Sequence, residues 1–154
     1  MFLGEYEYKV DHKGRIPFPP KFREQLGEGM VMSRGLEKCV DVYPWTEWEH
    51  MSAEVSASPS SRREARRLDR FTFGTAFFVD LDGQGRIAIP LPLRRHAEIR
   101  EVAVVAGVNR LVEIWSKQSW EVERDRMTGE VRRMSKKAKL GQETDSTNGR
   151  RTRR

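Results

Sequence analysis

Polar and apolar positions alternate from Glu5 to Val10, where Tyr6 and Tyr8 stand between Glu5, Glu7 and Lys9. Period-two alternation is the mark of a half-buried β-strand. Ala76 to Leu81 reads as a second strand of the same kind. Each is followed by Asp-x-x-Gly, at Asp11–Gly14 and Asp82–Gly85, a tight-turn pattern in which glycine is free to take positive φ. Alternation resumes at Arg15–Phe18 and Arg86–Ile89, predicting the returning strand of a hairpin. Pro19 and Pro90 then stop the strand and start short helices over 20–26 and 91–97. Strands are expected near 30–34 with 39–43, and near 102–106 with 110–115, joined by Gly-Leu-Glu-Lys and Gly-Val-Asn-Arg. A helix closes each set, Pro44 to about Ser56 and Ser116 to about Met127. In the first, Trp45, Trp48, Met51 and Val55 fall on one face. Ser61 and Glu64 have capping-box spacing and open a further helix to about Arg70.

The two sets are copies. DHKGRIPFP, from Asp11, and DGQGRIAIP, from Asp82, share Asp, Gly, Arg, Ile and Pro at constant offset. One inserted residue between Ala97 and Val102 then brings MVMSRGLEKCVDVYPWTEWE, from Met30, onto VAVVAGVNRLVEIWSKQSWE, from Val102. Gly35 thereby matches Gly107, Asp41 matches Glu113 and Trp48 matches Trp120. A unit of roughly 50 residues cannot bury much surface or hide its strand edges. Two copies can solve both problems together. The expected fold is mainly β with short helices, a pseudo-two-fold β-barrel formed by two tandem copies with helices outside. The copies span 1–56 and 73–128, with a helical linker at 57–72 and a basic disordered tail at 129–154.

Charge changes the picture only at the end of the chain. The net charge is +6 over 154 residues, yet basic and acidic residues balance over 1–128, so the excess lies in 129–154. There aromatic residues cease and Ser, Thr, Gly, Lys and Arg dominate. No apolar run approaches the ~20 residues needed to span a bilayer. The start of the chain lacks a basic segment followed by an apolar one, and Cys39 is the single cysteine. A cytoplasmic protein is the expectation, with no membrane partner.

Within the balanced body, cations gather at the first turn. Lys9, Lys13, Arg15, Lys21 and Arg23 stand against Asp11 alone, whereas around Arg86, Arg94 and Arg95 stand Asp80 and Asp82, with Gln84 in place of Lys13. Arginine forks onto phosphate or a guanine edge and lysine acts as a point charge on the backbone. The bland reading is that Asp11 and Arg15 pair and only fix the turn; both can hold, since a clamped turn preorganises its neighbours. The first tip is expected to dominate. Arg62, Arg63, Arg66, Arg67 and Arg70 on the linker helix suit a solvated face or a neighbouring subunit better than DNA. Arg150 to Arg154 could add unspecific attraction to DNA or merely solubilise. His12, His50, His96 and Cys39 share no metal-ligand spacing, and Cys39 reads as a small core residue. No nucleophile–base pair, phosphate-cradling loop or acid dyad is visible. Neither an enzyme, a cofactor nor a small-molecule substrate is expected.

The doubled DxxGR with its alternating apolar residues, Pro and short LR-containing helix resembles the AbrB-like swapped-hairpin barrel proteins. With the MFLG start, YPWTEWE and GVNRLVEIWSKQSWE, residues 1 to about 127 look like the MraZ family of bacterial transcriptional regulators. The resemblance implies sequence-specific binding of double-stranded DNA. The implied sites are short direct repeats upstream of the protein's own gene in a cell-division and cell-wall cluster. It further implies a homo-oligomeric ring with the DxxGR surfaces facing DNA, association with the nucleoid, and repression as the outcome. On this reading Lys9, Lys13, Gly14, Arg15, Lys21, Arg23, Arg86 and Arg94 are the DNA-contacting residues. Ala88 in place of Pro17, the polar linker at Ser58–Ser61 and the basic tail stand outside the shared pattern. Two alternatives stay open, a protein-interaction or assembly module held together by the tips, and an antitoxin-like DNA-binding relative.

Overall fold

The computed structural model describes residues 1–27 and 29–151, the side chains of 140–151 excepted. Met1–Ser119 and Trp120–Arg154 form two separate compact units. In chain order the first holds β1 (Phe2–Lys9), β2 (Arg15–Pro17), α1 (Pro20–Arg23), β3 (Met30–Arg34), β4 (Cys39–Pro44), α2 (Trp45–Ala57) and α3 (Arg62–Thr72). It continues with β5 (Phe77–Val79), β6 (Arg86–Ala88), α4 (Leu91–His96), β7 (Val102–Asn109) and β8 (Leu111–Ser116). Helix α5 (Lys117–Arg151) follows.

The strands expected from alternation are present, but not paired as expected. β1 and β2 do not form a local hairpin, because β1 runs antiparallel to β7 and β2 runs antiparallel to β6. Only the turn itself closes locally, Asp11 N–H donating to the Arg15 carbonyl at 3.0 Å and Gly14 N–H to the Asp11 carbonyl at 3.0 Å. On both sides of it the chain pairs with the other copy. Six strands form one antiparallel sheet in the order β1-β7-β8-β4-β3-β5, and β2–β6 form a separate two-stranded ribbon. β1 with β7, β3 with β5, β4 with β8 and β2 with β6 each join one copy to the other. That is the interlocked arrangement of a swapped-hairpin barrel.

The barrel is closed at the ribbon by side chains, not by a continuous ladder. β2 and β6 have three residues each, and Pro17 has no amide to give a second neighbour. Ile16, Phe18, Ile87 and Ile89 instead enter the core beside Phe22, Met32, Val42, Leu93, Val105 and Ile114, all essentially buried. Phe22, carried by the one-turn α1, meets Phe2 edge-on at 5.3 Å and Tyr6 at 5.4 Å, the geometry that aromatic quadrupoles favour.

Helices α2 and α3 are built as their sequences predict. Trp48 buries the inner face of α2 against Tyr43 and Phe73, with ring centroids 5.4 and 5.8 Å apart. The capping box is formed: Glu64 N–H donates to Ser61 Oγ and Ser61 N–H to Glu64 Oε2, each at 3.2 Å. α1 is shorter than expected, since Glu24 and Gln25 continue as a turn. α5 is longer than expected. It passes Met127 and Gly129 and runs on with no proline to stop it, through Arg132, Arg133, Lys136, Lys137 and Lys139, which are good helix formers. The side chains of Arg150 to Arg154, assigned above to an unspecific basic tail, lie outside the described residues.

Candidate functional site

The two Asp-x-x-Gly-Arg turns are built with the same bonds. Asp11 Oδ1 accepts the N–H groups of Lys13 and Arg15, each at 2.9 Å, while Oδ2 accepts Arg15 Nε–H at 2.7 Å. Asp82 repeats this with Gln84 and Arg86 N–H at 2.9 Å and Arg86 Nε at 2.8 Å. The aspartate thus does what its place at a turn suits it for, accepting from the backbone ahead of it. Those bonds favour the charged carboxylate. Asp11 is held down at about 2, chiefly by the Arg15 amide and further by the Arg15 guanidinium and the Lys13 amide. Asp82 is also lowered, chiefly by the Arg86 amide. Arg15 and Arg86 are therefore tethered through Nε, and each presents the rest of a half-buried guanidinium from a fixed turn.

Gly14 has φ +74° and Gly85 φ +72°, values that only glycine takes without strain. A Cβ at either would also have to displace an arginine side chain. One at Gly14 would fall inside the guanidinium of Arg94, and one at Gly85 inside that of Arg23. The covering arginine comes from the opposite copy each time. Arg94 Nε donates to the Ile89 carbonyl at 2.9 Å and Arg23 Nε to the Phe18 carbonyl at 2.8 Å. Backbone bonds cross with them, Ile89 N–H to the Gly14 carbonyl at 2.9 Å and Phe18 N–H to the Gly85 carbonyl at 3.0 Å.

The predicted contact residues therefore separate into groups. Lys9, Lys13 and Lys21 are exposed. Arg15 and Arg86 are tied to their own turns, and Arg23 and Arg94 lie over the turns of the other copy. Gly14 is buried, and its N–H and carbonyl are both bonded within the protein, so its part is to shape the turn. The five arginines of α3 are exposed and form no ion pair among the described residues.

The chain matches the family model described as "MraZ protein, putative antitoxin-like" twice, over residues 1–71 and 72–139. The chain belongs to the MraZ family. A "Transcriptional regulator MraZ" of Dehalococcoides mccartyi is 43% identical over 125 residues, 80% of this chain and 88% of that protein. Proteins of the same name from Roseiflexus sp. and Thermoanaerobacter sp. are 46% and 44% identical over 121 residues, 79% of this chain and 85% of each relative. The two matches meet between residues 71 and 72, at the last turn of α3, so the helix that joins the copies falls within the first match.

One cluster in this MraZ chain was not legible from residue spacing. Strands β4 and β8 pair so that Asp41 faces Glu113, the residues that occupy equivalent places in the two copies. The buried Cys39 thiol lies 3.7 Å from Asp41 Oδ1 and 3.8 Å from Glu113 Oε2. Trp115 Nε1–H donates to Glu113 Oε1 at 3.2 Å. Burial, then the Glu113 charge, pushes Asp41 up to about 7. Burial and the same acids raise Cys39 strongly. Ligand atoms of Glu37, Cys39 and Glu113 lie within 4.8 Å of one another. Metal binding requires a thiolate, however, and this environment opposes one; the protonated thiol serves as a donor to the acids. Cys39 is thus fully buried, as expected, but sits among carboxylates. The alignment of Asp41 with Glu113 held the clue, because equivalent residues near a two-fold axis must meet.

Another contact between copies was missed. His96 of α4 accepts Arg34 Nε–H at Nδ1, at 2.8 Å, and its Nε2 lies 2.9 Å from the Glu37 carbonyl. His96 thereby pins the β3–β4 turn and needs no metal to explain it.

Proposed function

We propose that the protein is a sequence-specific DNA-binding transcriptional regulator that contacts DNA through the Asp11–Arg15 and Asp82–Arg86 turns. The observation that carries this reading is the doubled, fixed turn with cations on and over it, in a family whose similar members are named transcriptional regulators. Exposed Lys9, Lys13 and Lys21 suit phosphates, and tethered Arg15 and Arg86 present planar donors suited to base edges or phosphate.

Each chain offers few base contacts, so affinity for tandem sites has to come from several chains acting together. A homo-oligomeric ring binding short direct repeats upstream of its own gene, in a cell-division and cell-wall cluster, satisfies that need. Repression through promoter occupancy is the simplest outcome, and such a protein would be found with the nucleoid.

The test is a footprint on the DNA just upstream of its own gene, followed by gel shifts with Arg15→Ala and Arg86→Ala. The reading expects protected direct repeats, and binding that falls steeply as salt rises. Arg15→Ala should lose about tenfold or more in affinity with an unchanged elution volume on size exclusion. Dissociation of the oligomer with DNA binding otherwise intact would favour an assembly role for the tips.

A further inference from the structure

The crossing of the two copies changes which basic residues belong together. Read along the sequence, Lys13 and Arg15 group with Lys21 and Arg23, and Arg86 groups with Arg94 and Arg95. In space Arg94 covers Gly14 and Arg23 covers Gly85. The backbone bonds from Ile89 to Gly14 and from Phe18 to Gly85 lock the same exchange. A turn is therefore held by the helix-side arginine of the other copy.

We propose that each DNA-contacting unit is composite: the Asp11–Arg15 turn works with Arg94, and the Asp82–Arg86 turn works with Arg23. This rests on the DNA-binding reading above and assigns partners within it. Arg94 and Arg23 act as positioning residues. Their Nε atoms are spent on the Ile89 and Phe18 carbonyls, which fixes each guanidinium plane against a turn glycine. No other hydrogen bond of either guanidinium occurs among the described residues, so Nη donors remain beside the turn for phosphate. Each of these arginines sets the height and angle at which a turn meets DNA.

The crossing reverses the ranking of Arg23 and Arg94 that the sequence order suggests. The first turn carries Lys13 and follows Lys9, while the second carries Gln84 and follows Asp80, so the first turn is the stronger contact. If the units followed the copies, Arg23 would serve the stronger turn. Because they cross, Arg94 serves it, and its loss should weaken DNA binding more than loss of Arg23.

The probe is the duplex immediately upstream of the protein's own gene, titrated with the full chain and with Arg94→Ala and Arg23→Ala. Arg94→Ala is expected to lower affinity about tenfold and Arg23→Ala about two- to threefold. Lys13→Ala should be coupled to Arg94→Ala, the double variant losing less than the product of the single losses. Lys13→Ala and Arg23→Ala should multiply. Thermal unfolding checks that the alanine variants are folded; should one fail, Arg94→Lys and Arg23→Lys are ranked in the same way. Equal losses, a larger loss for Arg23, or coupling of Lys13 to Arg23 would overturn the composite assignment. Failure of the unaltered protein to bind that duplex would instead remove the DNA-binding reading itself. Amide exchange in the DNA-free protein separates the two cases. Arg94→Ala should speed exchange at Gly14 and leave Gly85 unchanged, and Arg23→Ala should do the reverse. Any other pattern would count against the clamp.

Discussion

The pseudo-two-fold relation between the copies brings equivalent residues face to face in two places. In the β2–β6 ribbon Ile16 meets Ile87, and in the main sheet Asp41 meets Glu113. The first meeting is favourable twice over, since both isoleucines are fully buried and fill the core. The second sets two carboxylates opposite each other in a partly buried sheet, where like charges repel. The molecule accommodates it by holding Asp41 at about 7 and by surrounding the pair with donors, among them Cys39, Tyr43 and Trp115. Duplication thus doubles what each residue does at the axis, whether that helps or hurts.

Substitutions at the two places should separate most clearly in size. Ile16→Ala and Ile87→Ala are each expected to cost about 2–5 kcal/mol in urea unfolding, and nearly the same amount as each other. A loss below about 1 kcal/mol at either would show that the ribbon does not close the core.

Next to the ribbon, Gly14→Ala should cost about 1–3 kcal/mol in thermal unfolding through its positive φ, with displacement of Arg94 adding to it. Gly85→Ala should cost less, because Gly85 is less buried. Equal costs would mean that φ alone matters at both turns.

The acid pair is read best through pH. Asp41 binds its proton more tightly folded than unfolded, at about 7 against 3.8. The stability it contributes is therefore full below about pH 4 and is lost as pH rises through about 7. Asp11 has the opposite sign. Its folded value of about 2 makes its contribution complete above about pH 4 and lost as pH falls toward 2. Asp41→Asn should flatten the decline between pH 4 and 7 and leave the acid limb unchanged, as followed by urea unfolding across that range. An unaltered slope would show that the Asp41–Glu113 meeting is already relieved.

The smallest effect is expected off the axis. Lys38 and Glu98 pair across the copies at 3.0 Å with both side chains largely exposed. Lys38→Ala should change stability by about 0.2–1 kcal/mol, and less in high salt. A larger change in the same urea assay would mean that this exposed bridge is part of a wider network.

Much of the candidate site was legible from local chemistry. The turns at Asp11–Gly14 and Asp82–Gly85, the Ser61–Glu64 capping box and the Trp48 face of α2 all depend on residues within one turn of helix or loop. Short-range bonds of that kind leave a signature in spacing. The partners of those elements leave none. Alternation shows that Tyr6 and Tyr8 face inward on a strand, but not that the strand lies against Val102–Asn109. The extended α5 was missed because Gly129, together with polar composition, suggested an end where helix-forming residues in fact continue.

The sequence by itself determined that two similar half-barrels exist, where each turn and strand falls, and which cations stand near the turns. Only the tertiary structure decided that the halves exchange partners. The two copies are so alike that a strand finds nearly the same complementary surface in either one, so pattern cannot choose between them. The choice is made in the folded chain, where the strands on both sides of each tight turn, β1 with β2 and β5 with β6, pair with strands of the other copy. That crossing, more than any single residue, puts Arg94 beside Gly14 and Asp41 opposite Glu113.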